Sequence, residues 1–233
     1  MESVLQSGPM VDPLILLASN SPRRRQLLSL SGLRFQVWPA NIDESRLEGE
    51  VPEAYVMRVA RVKARALTLS AENFQASFIL AADTVVVDGE AILGKPVSQA
   101  EAGRMLRQLR DRPHRVFTAL ALIALEDRRL FTELCVTQVP MRAYSDEEIE
   151  AYIASGDPMD KAGAYAIQNK GFHPVASLQG CFANVMGLPL CHLVRTLRQV
   201  GVTPLIDVPG ACQAALSYDC PVSSSILQGE QTG

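Results

Sequence analysis

A large excess of charge of one sign is missing from this chain of 233 residues. Its 22 Lys and Arg side chains stand against 25 Asp and Glu, for a formal net charge of −3. Nonspecific binding of nucleic acid needs a strongly basic surface, so we expect no nucleic-acid partner. Any phosphate ligand must then be held by a local cluster of cations.

Long apolar runs are missing as well. A membrane-spanning helix needs about 20 consecutive apolar residues, and no stretch of the chain approaches that length. The first residues do not show the charged segment followed by an apolar core that is typical of a secretory signal. We therefore expect no membrane partner and a cytoplasmic protein, in which residues 1–12 form a loose leader.

Cysteine pairs and a nucleotide-binding P-loop are two further absences. The five cysteines are odd in number and scattered, without a CxxC spacing, so we expect reduced thiols rather than a disulfide framework. Cys191 and His192 lie inside an apolar helical pattern, which argues against a zinc site. No GxxxxGK[ST] motif precedes the lysine of Gly94-Lys95-Pro96, which excludes a Walker P-loop.

What is present indicates an α/β protein. The hydrophobic content of 48% and charged content of 20% are ordinary for a globular chain that buries a sizeable core. Strand and helix signals are mixed, and some strands pair as hairpins, which predicts a mixed β-sheet flanked by helices. We expect one domain over residues 13–202. Because prolines and a serine run follow Thr203, we expect a loosely ordered tail over residues 203–233.

Predicted strands and helices extend along most of this domain. They are a strand at Leu14–Ala18, a helix from Pro52 to about Ser70, a buried strand at Phe78–Ala82 that ends at Asp83, a hairpin over Val85–Leu93, an antiparallel pair at His114–Leu125 and Arg129–Met141, and a last helix at Val185–Val200.

The stretch Leu17-Ala-Ser-Asn-Ser-Pro-Arg-Arg-Arg25 is the strongest local signal. Ser21-Pro22 predicts a helix N-terminus directly after the first strand. The first amides of a helix have no partner within it and favour an anion, whereas the arginines of the first turn are disfavoured by the helix dipole unless an anion compensates them. A phosphate site fits this pattern, and a solvated basic helix start is the alternative.

Four further positions carry charge or polarity that the core pattern leaves unexplained. Lys63 falls on the apolar side of its helix, so it must snorkel or meet a carboxylate or a phosphate. Asp83, at the end of a buried strand, is a candidate base or metal ligand, or else a turn cap. Asp43-Glu44 would share a hard cation with Asp83 or lie in a solvated loop. Gln168 would read the edge of a nucleobase or lie unused at the surface.

These segments, taken in order, resemble the Maf family of nucleoside triphosphate pyrophosphatases. The matching residues are Ser19-Asn20-Ser21-Pro22-Arg23-Arg24, Asp43-Glu44, Val59–Ala64 with Lys63, Ala82-Asp83-Thr84, Lys95-Pro96, Asp160-Lys161-Ala162-Gly163-Ala164-Tyr165 with Gln168, and Asn184-Val185-Met186-Gly187-Leu188-Pro189. They spread from about residue 14 to 200. Each motif alone is weak, whereas the ordered set is specific.

The resemblance implies a fold and an activity. The fold is a mixed α/β fold of the inosine-triphosphatase type, with an elongated sheet and a cleft between two lobes. The activity is hydrolysis of a nucleoside triphosphate to the monophosphate and pyrophosphate. Arg23-Arg24, Asp83-Thr84 and Gln168 resemble the branch that acts on dTTP and UTP rather than the branch that acts on 7-methyl-GTP. Modified pyrimidine nucleotides are a further substrate class, and a homodimer is expected from the family.

On this resemblance we assign roles to the site residues. Asp83 would be the general base and, with Glu44, would bind a divalent cation, first of all Mg²⁺, with Mn²⁺ or Co²⁺ as alternatives. The residues that would bind the substrate phosphates are Ser19, Arg23, Lys63 and Lys95. Those that would select the base are Arg24, Thr84 and Gln168. A regulator of cell division or growth that binds nucleotides, with vestigial hydrolysis, is the alternative function.

Two departures from the family pattern affect the expected base preference. The family usually has glycine between Tyr165 and Ile167 and again after Gln168, whereas this chain has Ala166 and Asn169. Alanine needs an ordinary backbone angle where glycine is permissive. We therefore expect an altered or broadened choice of base.

Overall fold

A mixed six-stranded sheet forms the centre of the molecule in the computed structural model, which describes residues 13–230. Its strands are β1 (Leu14–Leu17), β2 (Arg34–Val37), β3 (Phe78–Asp88), β4 (Ala91–Leu93), β5 (Pro113–Ala124) and β6 (Leu130–Pro140). The order is β2-β1-β3-β5-β6, and β4 pairs with β3 beside this path. The pairs of β1 with β2 and β3 are parallel and the others antiparallel, which confirms the predicted mixed sheet.

Nine α-helices are seen in residues 13–230. They are α1 (Pro22–Ser29), α2 (Pro52–Ala66), α3 (Thr68–Ala71), α4 (Gln99–Leu109), α5 (Asp146–Ala154), α6 (Phe182–Met186), α7 (Leu190–Gln199), α8 (Val208–Leu216) and α9 (Ser223–Leu227), with short 3-10 turns at Glu72–Phe74, Asp157–Asp160 and Ala162–Ala164. No helix of the described chain is both long and apolar enough to cross a membrane. All five cysteines are free thiols.

Strand β3 separates two packing environments because successive side chains of a strand point to opposite faces. Ile79, Ala81 and Val85 pack against α2 on one side, which we call the lysine face. Leu80 and Ala82 pack with α1, α6 and α7 on the other, which we call the arginine face. Beyond this point, Val86 packs with α4 and α5 in a separate cluster. Two lobes with their own cores therefore meet at the middle of β3.

Three predicted elements differ from the structure. Strand β3 does not end at Asp83 but runs on to Asp88, because β5 continues to pair with it as far as Val87. The predicted helix Val185–Val200 is two helices, since Gly187 takes a φ of 108° and Pro189 precedes the second helix. The long helix from Pro52 ends at Ala66, and α3 follows it.

The segment after Thr203 is not loose in its described part. Val208 of α8 is buried in the same core as α7, and Ile226 of α9 is fully buried as well. Arg195 of α7 donates hydrogen bonds to the backbone oxygens of Ile226 and Glu230. Both helices are short, with nine and five residues, and lie at or next to Pro209 and Pro221, so the local sequence carries little helical periodicity. The expected leader at residues 1–12 lies outside the described residues.

Candidate active site

The site lies where the edge of β3 loses its strand partners. Strand β1 pairs with β3 only as far as Leu80, and β4 begins to pair at Val86. Within the described chain, residues 81–85 have no strand partner on this edge, while β5 still covers the opposite edge. The resulting notch places Asp83 and Thr84 at the lining of a cleft between the two lobes, near the carboxyl end of β1, where ligands bind in many α/β sheets.

Asp83 lies on the lysine face and is bonded to Lys63 of α2. The distance from Lys63 Nζ to Asp83 Oδ1 is 2.8 Å, and both side chains are about nine-tenths buried. The same ammonium donates to Glu44 Oε2 at 2.8 Å, although the Glu44 side chain is half exposed. Of the alternatives for Lys63, the structure therefore shows carboxylate partners. One cation ties together the two carboxylates that the sequence indicated as metal ligands.

The environment of Asp83 shifts its pKa upward. Burial raises the pKa of the carboxyl, while the charges of Lys63 and Arg24 act in the opposite direction. An acid whose pKa moves toward the working pH is better suited to accept and release a proton. The arrangement therefore favours a general base rather than a turn cap.

Tyr55 holds the segment that carries Glu44. Its hydroxyl donates to the Glu44 backbone oxygen at 2.9 Å, and burial together with the charge of Asp83 raises the pKa of this phenol. Asp43, the neighbouring acid, has another task, because its Oδ1 accepts hydrogen bonds from the backbone and hydroxyl of Ser45. Only Glu44 of this pair lines the cleft.

Arg24 lies on the arginine face and uses its whole guanidinium within the protein. Nε donates to the Gly187 oxygen at 2.8 Å, Nη1 to Ser19 Oγ at 3.3 Å and Nη2 to Thr84 Oγ1 at 3.0 Å. Burial lowers the pKa of this group, and Asp83 opposes that shift. Gly187 is required here, because a Cβ at its φ of 108° would lie 3.2 Å from Thr84 Oγ1.

Thr84 continues into a buried network of neutral groups. Its hydroxyl lies 2.9 Å from that of Thr118 on β5, which donates to the Asn184 backbone oxygen at 3.0 Å. The Asn184 amide donates in turn to Thr137 Oγ1 and to the Val116 oxygen. Networks of this kind fix a unique arrangement when their members are satisfied. Thr84 is thus held in place by Thr118 on β5 as well as by Arg24.

The first turn of α1 forms the phosphate-binding candidate. Ser21 is the N-cap, and its hydroxyl accepts from the Arg24 amide as the sequence predicted. Arg23 extends to Asp160 of the opposite lobe, with 3.2 Å between Nη1 and Oδ2. Since the Asp160 side chain is 60% exposed, this pair is weak and a phosphate can compete for the arginine.

Lys95 and Gln168 line the cleft from the second lobe, and both are exposed. Lys95 lies in the turn between β4 and α4, where the Gly94 oxygen accepts from the Gly163 amide. This bond ties the Lys95 turn to the Asp160–Tyr165 segment. Gly163 has a φ of 69°, and a Cβ there would lie 2.9 Å from Val86, so only glycine allows the contact.

One cleft gathers all the residues to which we assigned roles. Its volume is about 690 Å³. It is lined by Ser19, Arg23, Arg24, Glu44, Lys63, Asp83, Thr84, Lys95 and Gln168. The lobe with α2 supplies the carboxylates, and the start of α1 and the turn at Lys95 supply cations from two sides, of which Arg23 is weakly paired. Such a cleft suits a polyphosphate in extended form.

Neither departure from the family pattern breaks the loop that carries Gln168. Ala166 is buried and its φ is not positive, whereas Ala164 has a φ of 61°. The backbone at Ala166 is therefore one that alanine adopts without strain. Asn169 stands where the family usually has a glycine, and its side chain helps to fix the loop. Its Oδ1 accepts a hydrogen bond from the Phe172 amide at 2.8 Å.

Tyr55 and Lys161 line the cleft as well, and the sequence assigned no role to either. Tyr55 lies two helical turns before Lys63 on α2, a spacing from which its contact with the Glu44 segment could have been suspected. Lys161 is buried, and its ammonium binds Asp160 Oδ1 at 2.6 Å and Asp157 Oδ1 at 3.0 Å. In the sequence, only the i, i+4 spacing of Asp157 and Lys161 indicates that these two charges can meet.

The donors of the site fit a divalent cation that is shared with substrate. Mg²⁺ is usually held by one or two carboxylates together with substrate phosphates rather than by a complete protein cage. Within residues 13–230, no cluster of three or more His, Cys, Asp or Glu side chains is arranged to hold a metal. Glu44 and Asp83 each contact Lys63 through one oxygen, so a second oxygen of each carboxylate remains for a cation.

Comparison with known proteins gives consistent matches. The model of the Maf-like protein family matches residues 14–200. The dTTP/UTP pyrophosphatase of Thermomicrobium roseum is 49% identical over 214 residues, which cover 90% of this chain and 94% of that protein. The proteins of the same name from Geobacter sp. strain M21 and Geotalea uraniireducens are 47% and 46% identical, and each match covers 80% of this chain and 95% of the relative.

Proposed function

This chain belongs to the Maf-like protein family, and from that premise we propose that it is a nucleoside triphosphate pyrophosphatase that hydrolyses dTTP and UTP to the monophosphate and pyrophosphate. Relatives that are 46–49% identical over 80–90% of the chain and carry the name dTTP/UTP pyrophosphatase support the activity. The observation that carries the mechanism is the Lys63 ammonium, bonded to both Asp83 and Glu44 at the notch in the sheet.

Asp83 is the general base of the proposed reaction. It accepts a proton from the water that attacks the α-phosphorus, a bond forms between that phosphorus and the water oxygen, and the bond to the bridging oxygen of the leaving pyrophosphate breaks. Its raised pKa brings it closer to the working pH. The Lys63 hydrogen bond fixes the carboxylate in place and favours its ionised form before the water is deprotonated.

Charge neutralisation supplies much of the remaining catalysis, because phosphoryl transfer needs chiefly positioning and electrostatic stabilisation. Arg23 and Lys95 approach the cleft from different lobes and would bind phosphate oxygens. A cation about 4 Å from a phosphate oxygen contributes on the order of 4 kcal/mol at an effective dielectric constant near 20. Ser19 would add a hydroxyl donor. A divalent cation on Glu44 and Asp83, when bound, would neutralise phosphate charge as a Lewis acid.

Base selection is assigned to the remaining polar groups of the cleft. Gln168 presents an amide with both a donor and an acceptor. Arg24 and Thr84 are held by the protein in a fixed orientation. A site that hydrogen-bonds to its substrate discriminates more strongly than one that relies on apolar fit.

Four expectations stay predictions: Mg²⁺ as the preferred cation, a homodimer, a cytoplasmic location and the absence of a nucleic-acid partner.

A panel of nucleotides incubated with the protein and Mg²⁺ tests the proposal. We expect monophosphate and pyrophosphate from dTTP and UTP, and slower turnover of purine nucleotides. Nucleoside diphosphate with inorganic phosphate would contradict pyrophosphatase chemistry. Binding of nucleotides without any product would favour the regulator of cell division or growth instead.

A further inference from the structure

The segment that carries Gln168 is held at several points of its backbone. Gln168 itself is exposed and lines the cleft. The position of its side-chain amide is therefore determined by the backbone of the loop. A residue that fixes this backbone controls where the amide meets a base.

One carboxylate, Asp157, holds the loop on both sides of Gln168. Asn169 Nδ2 donates to Asp157 Oδ2 at 3.0 Å, and the Tyr152 hydroxyl donates to the same oxygen at 2.7 Å. The Tyr152 hydroxyl accepts in turn from the Ala166 amide at 3.0 Å. The chain is thus tied to Asp157 two residues before Gln168 and one residue after it.

Asn169 also closes the turn that follows. Its side-chain Oδ1 accepts a hydrogen bond from the Phe172 amide at 2.8 Å. Its backbone N–H donates to the Ala166 oxygen at 3.0 Å, and its backbone oxygen accepts from the His173 amide at 2.9 Å. Both ends of its side chain are therefore engaged, with the donor on Asp157 and the acceptor on the turn.

Asp157 is itself fixed. The buried Lys161 ammonium binds its Oδ1 at 3.0 Å and its backbone oxygen at 2.5 Å. Although burial acts to raise it, hydrogen bonds from Tyr152, Lys161 and Asn169 hold the pKa of Asp157 below its ordinary value. The Tyr152 ring stacks on Phe172 with 4.2 Å between ring centroids. Asp157 is a charged, rigid acceptor at neutral pH.

We propose that Asn169 is a positioning residue for base recognition, which through Asp157 fixes the loop so that the Gln168 amide meets the edge of the pyrimidine. The inference rests on the proposed function, in which Gln168 contacts the base. Hydrogen bonds discriminate only when donor and acceptor are held in register, so a loosened loop weakens binding of the preferred base more than it changes the chemical step.

Steady-state kinetics of three variants with dTTP, UTP and CTP tests the proposal. Asn169→Ala removes the hydrogen bonds of the side chain to Asp157 and from the Phe172 amide. Because these bonds act on the base only through Gln168, KM for dTTP and UTP should rise about fivefold, with kcat within about twofold. Asn169→Asp keeps an acceptor for the Phe172 amide but sets a negative charge against Asp157, so its effect should be larger. Lys170→Ala, an exposed neighbour, should behave as the parent protein.

A double-mutant cycle separates positioning from a structural role. In a Gln168→Ala background, Asn169→Ala should have no further effect on the preference for dTTP over CTP, because the amide that it positions is gone. Full and independent effects of the two substitutions would overturn the proposal, as would unchanged KM in both Asn169 variants. Melting temperatures confirm that each variant is folded under assay conditions, and Asn169→Gln, which keeps donor and acceptor, should recover part of the loss.

The same experiment distinguishes two failures. If Gln168→Ala leaves the base preference unchanged while pyrophosphate is still released, Gln168 does not read the base and both the assignment and the inference fail. If Gln168→Ala relaxes the preference while the Asn169 variants do not, only the positioning role of Asn169 is wrong.

Discussion

Asp83 and Thr84 are neighbours on β3, yet they meet environments of different kinds. On the lysine face, Asp83 is joined to Lys63 and Glu44 in a cluster of full charges, half open at Glu44. On the arginine face, Thr84 belongs to a network of neutral hydroxyl and amide groups in which Arg24 is the one cation described. A single step along the strand separates a cluster of charges that opens to the cleft at Glu44 from a network in which the Thr84 and Thr118 hydroxyls already bond within the protein, although Asn184 Oδ1 has no partner among the described residues.

The contrast suggests a division of labour. A phosphate can compete with Glu44 for Lys63, because the Glu44 side chain is half exposed at the cleft, and Asp83 can take up a proton while Lys63 stays beside it. The arginine face resists such exchange, because removal of one hydrogen-bonded member leaves others buried without partners. We therefore assign chemistry to the lysine face and the fixed shape of the base site to the arginine face.

The largest expected effect comes from Asp83→Asn. Asparagine keeps the size and a hydrogen-bond acceptor but takes no proton, so kcat should fall by about 10² to 10⁴, the usual contribution of a general base. Pyrophosphate release gives the rate, and calorimetry with dTTP and Mg²⁺ gives the affinity, which should remain measurable. Normal turnover would remove Asp83 from the role of base.

Lys63→Met should lower both activity and stability. The substitution leaves the buried Asp83 without its partner, and breaking a buried pair costs about 3–5 kcal/mol when the remaining charge cannot relax. Urea unfolding measures the loss. The double variant Lys63→Met/Asp83→Asn is the control, and it should regain part of the stability because no unpaired charge is left. If the double variant is as unstable as the sum of the single variants, the two groups are not coupled.

Thr84→Val tests the arginine face with a matched shape. Its hydroxyl bonds to Arg24 and Thr118 are lost, at a cost of about 1–3 kcal/mol for the groups left unpaired. We expect a weaker preference for dTTP and UTP over CTP, with kcat for dTTP reduced far less than in Asp83→Asn. A loss of kcat as large as that of Asp83→Asn would contradict the division between the faces.

Mild acid should lower the free energy of unfolding through two buried histidines. Burial lowers the pKa of His114, bonded to Tyr165, and of His192 on α7 to about 4 in each case. The unfolded chain takes up these protons near pH 6.5, so between pH 6.5 and 4 it binds more protons than the folded chain and stability falls as the pH falls.

The slope of the unfolding free energy should reach about 1.4 kcal/mol per pH unit for each histidine. His192→Leu should flatten this slope, since neither ring nitrogen of His192 has a partner within the described chain. A free energy of unfolding from urea curves that is unchanged between pH 7 and 5 would show that neither histidine is kept neutral by burial.

The sequence was informative where a side chain violated its local pattern. Lys63 on an apolar helix face had to snorkel or meet a carboxylate or a phosphate, and the structure shows two carboxylates. Ser21-Pro22 marked a helix start because capping depends on nearby residues, and the cap is present. The two neighbouring β-rich runs at His114–Leu125 and Arg129–Met141 likewise predicted the antiparallel pairing of β5 and β6.

The sequence was uninformative where contacts between residues far apart in the chain determine the local structure. The helical pattern of residues 185–200 runs through Gly187, and the break there serves the contact with Arg24, which is 163 residues away. Whether β3 ends at Asp83 depends on pairing with β5, which local residues do not encode. The link between Asp157 and Asn169 is of the same kind, since it depends on a turn that only the folded chain forms.

The central claim is that water attacks the α-phosphorus of a pyrimidine nucleoside triphosphate in the cleft at Asp83. Hydrolysis of dTTP with Mg²⁺ in water enriched in oxygen-18, followed by mass spectrometry of both products, tests it directly. We predict one labelled oxygen in the nucleoside monophosphate and none in pyrophosphate. Label in pyrophosphate, or in inorganic phosphate released beside a nucleoside diphosphate, would contradict the account.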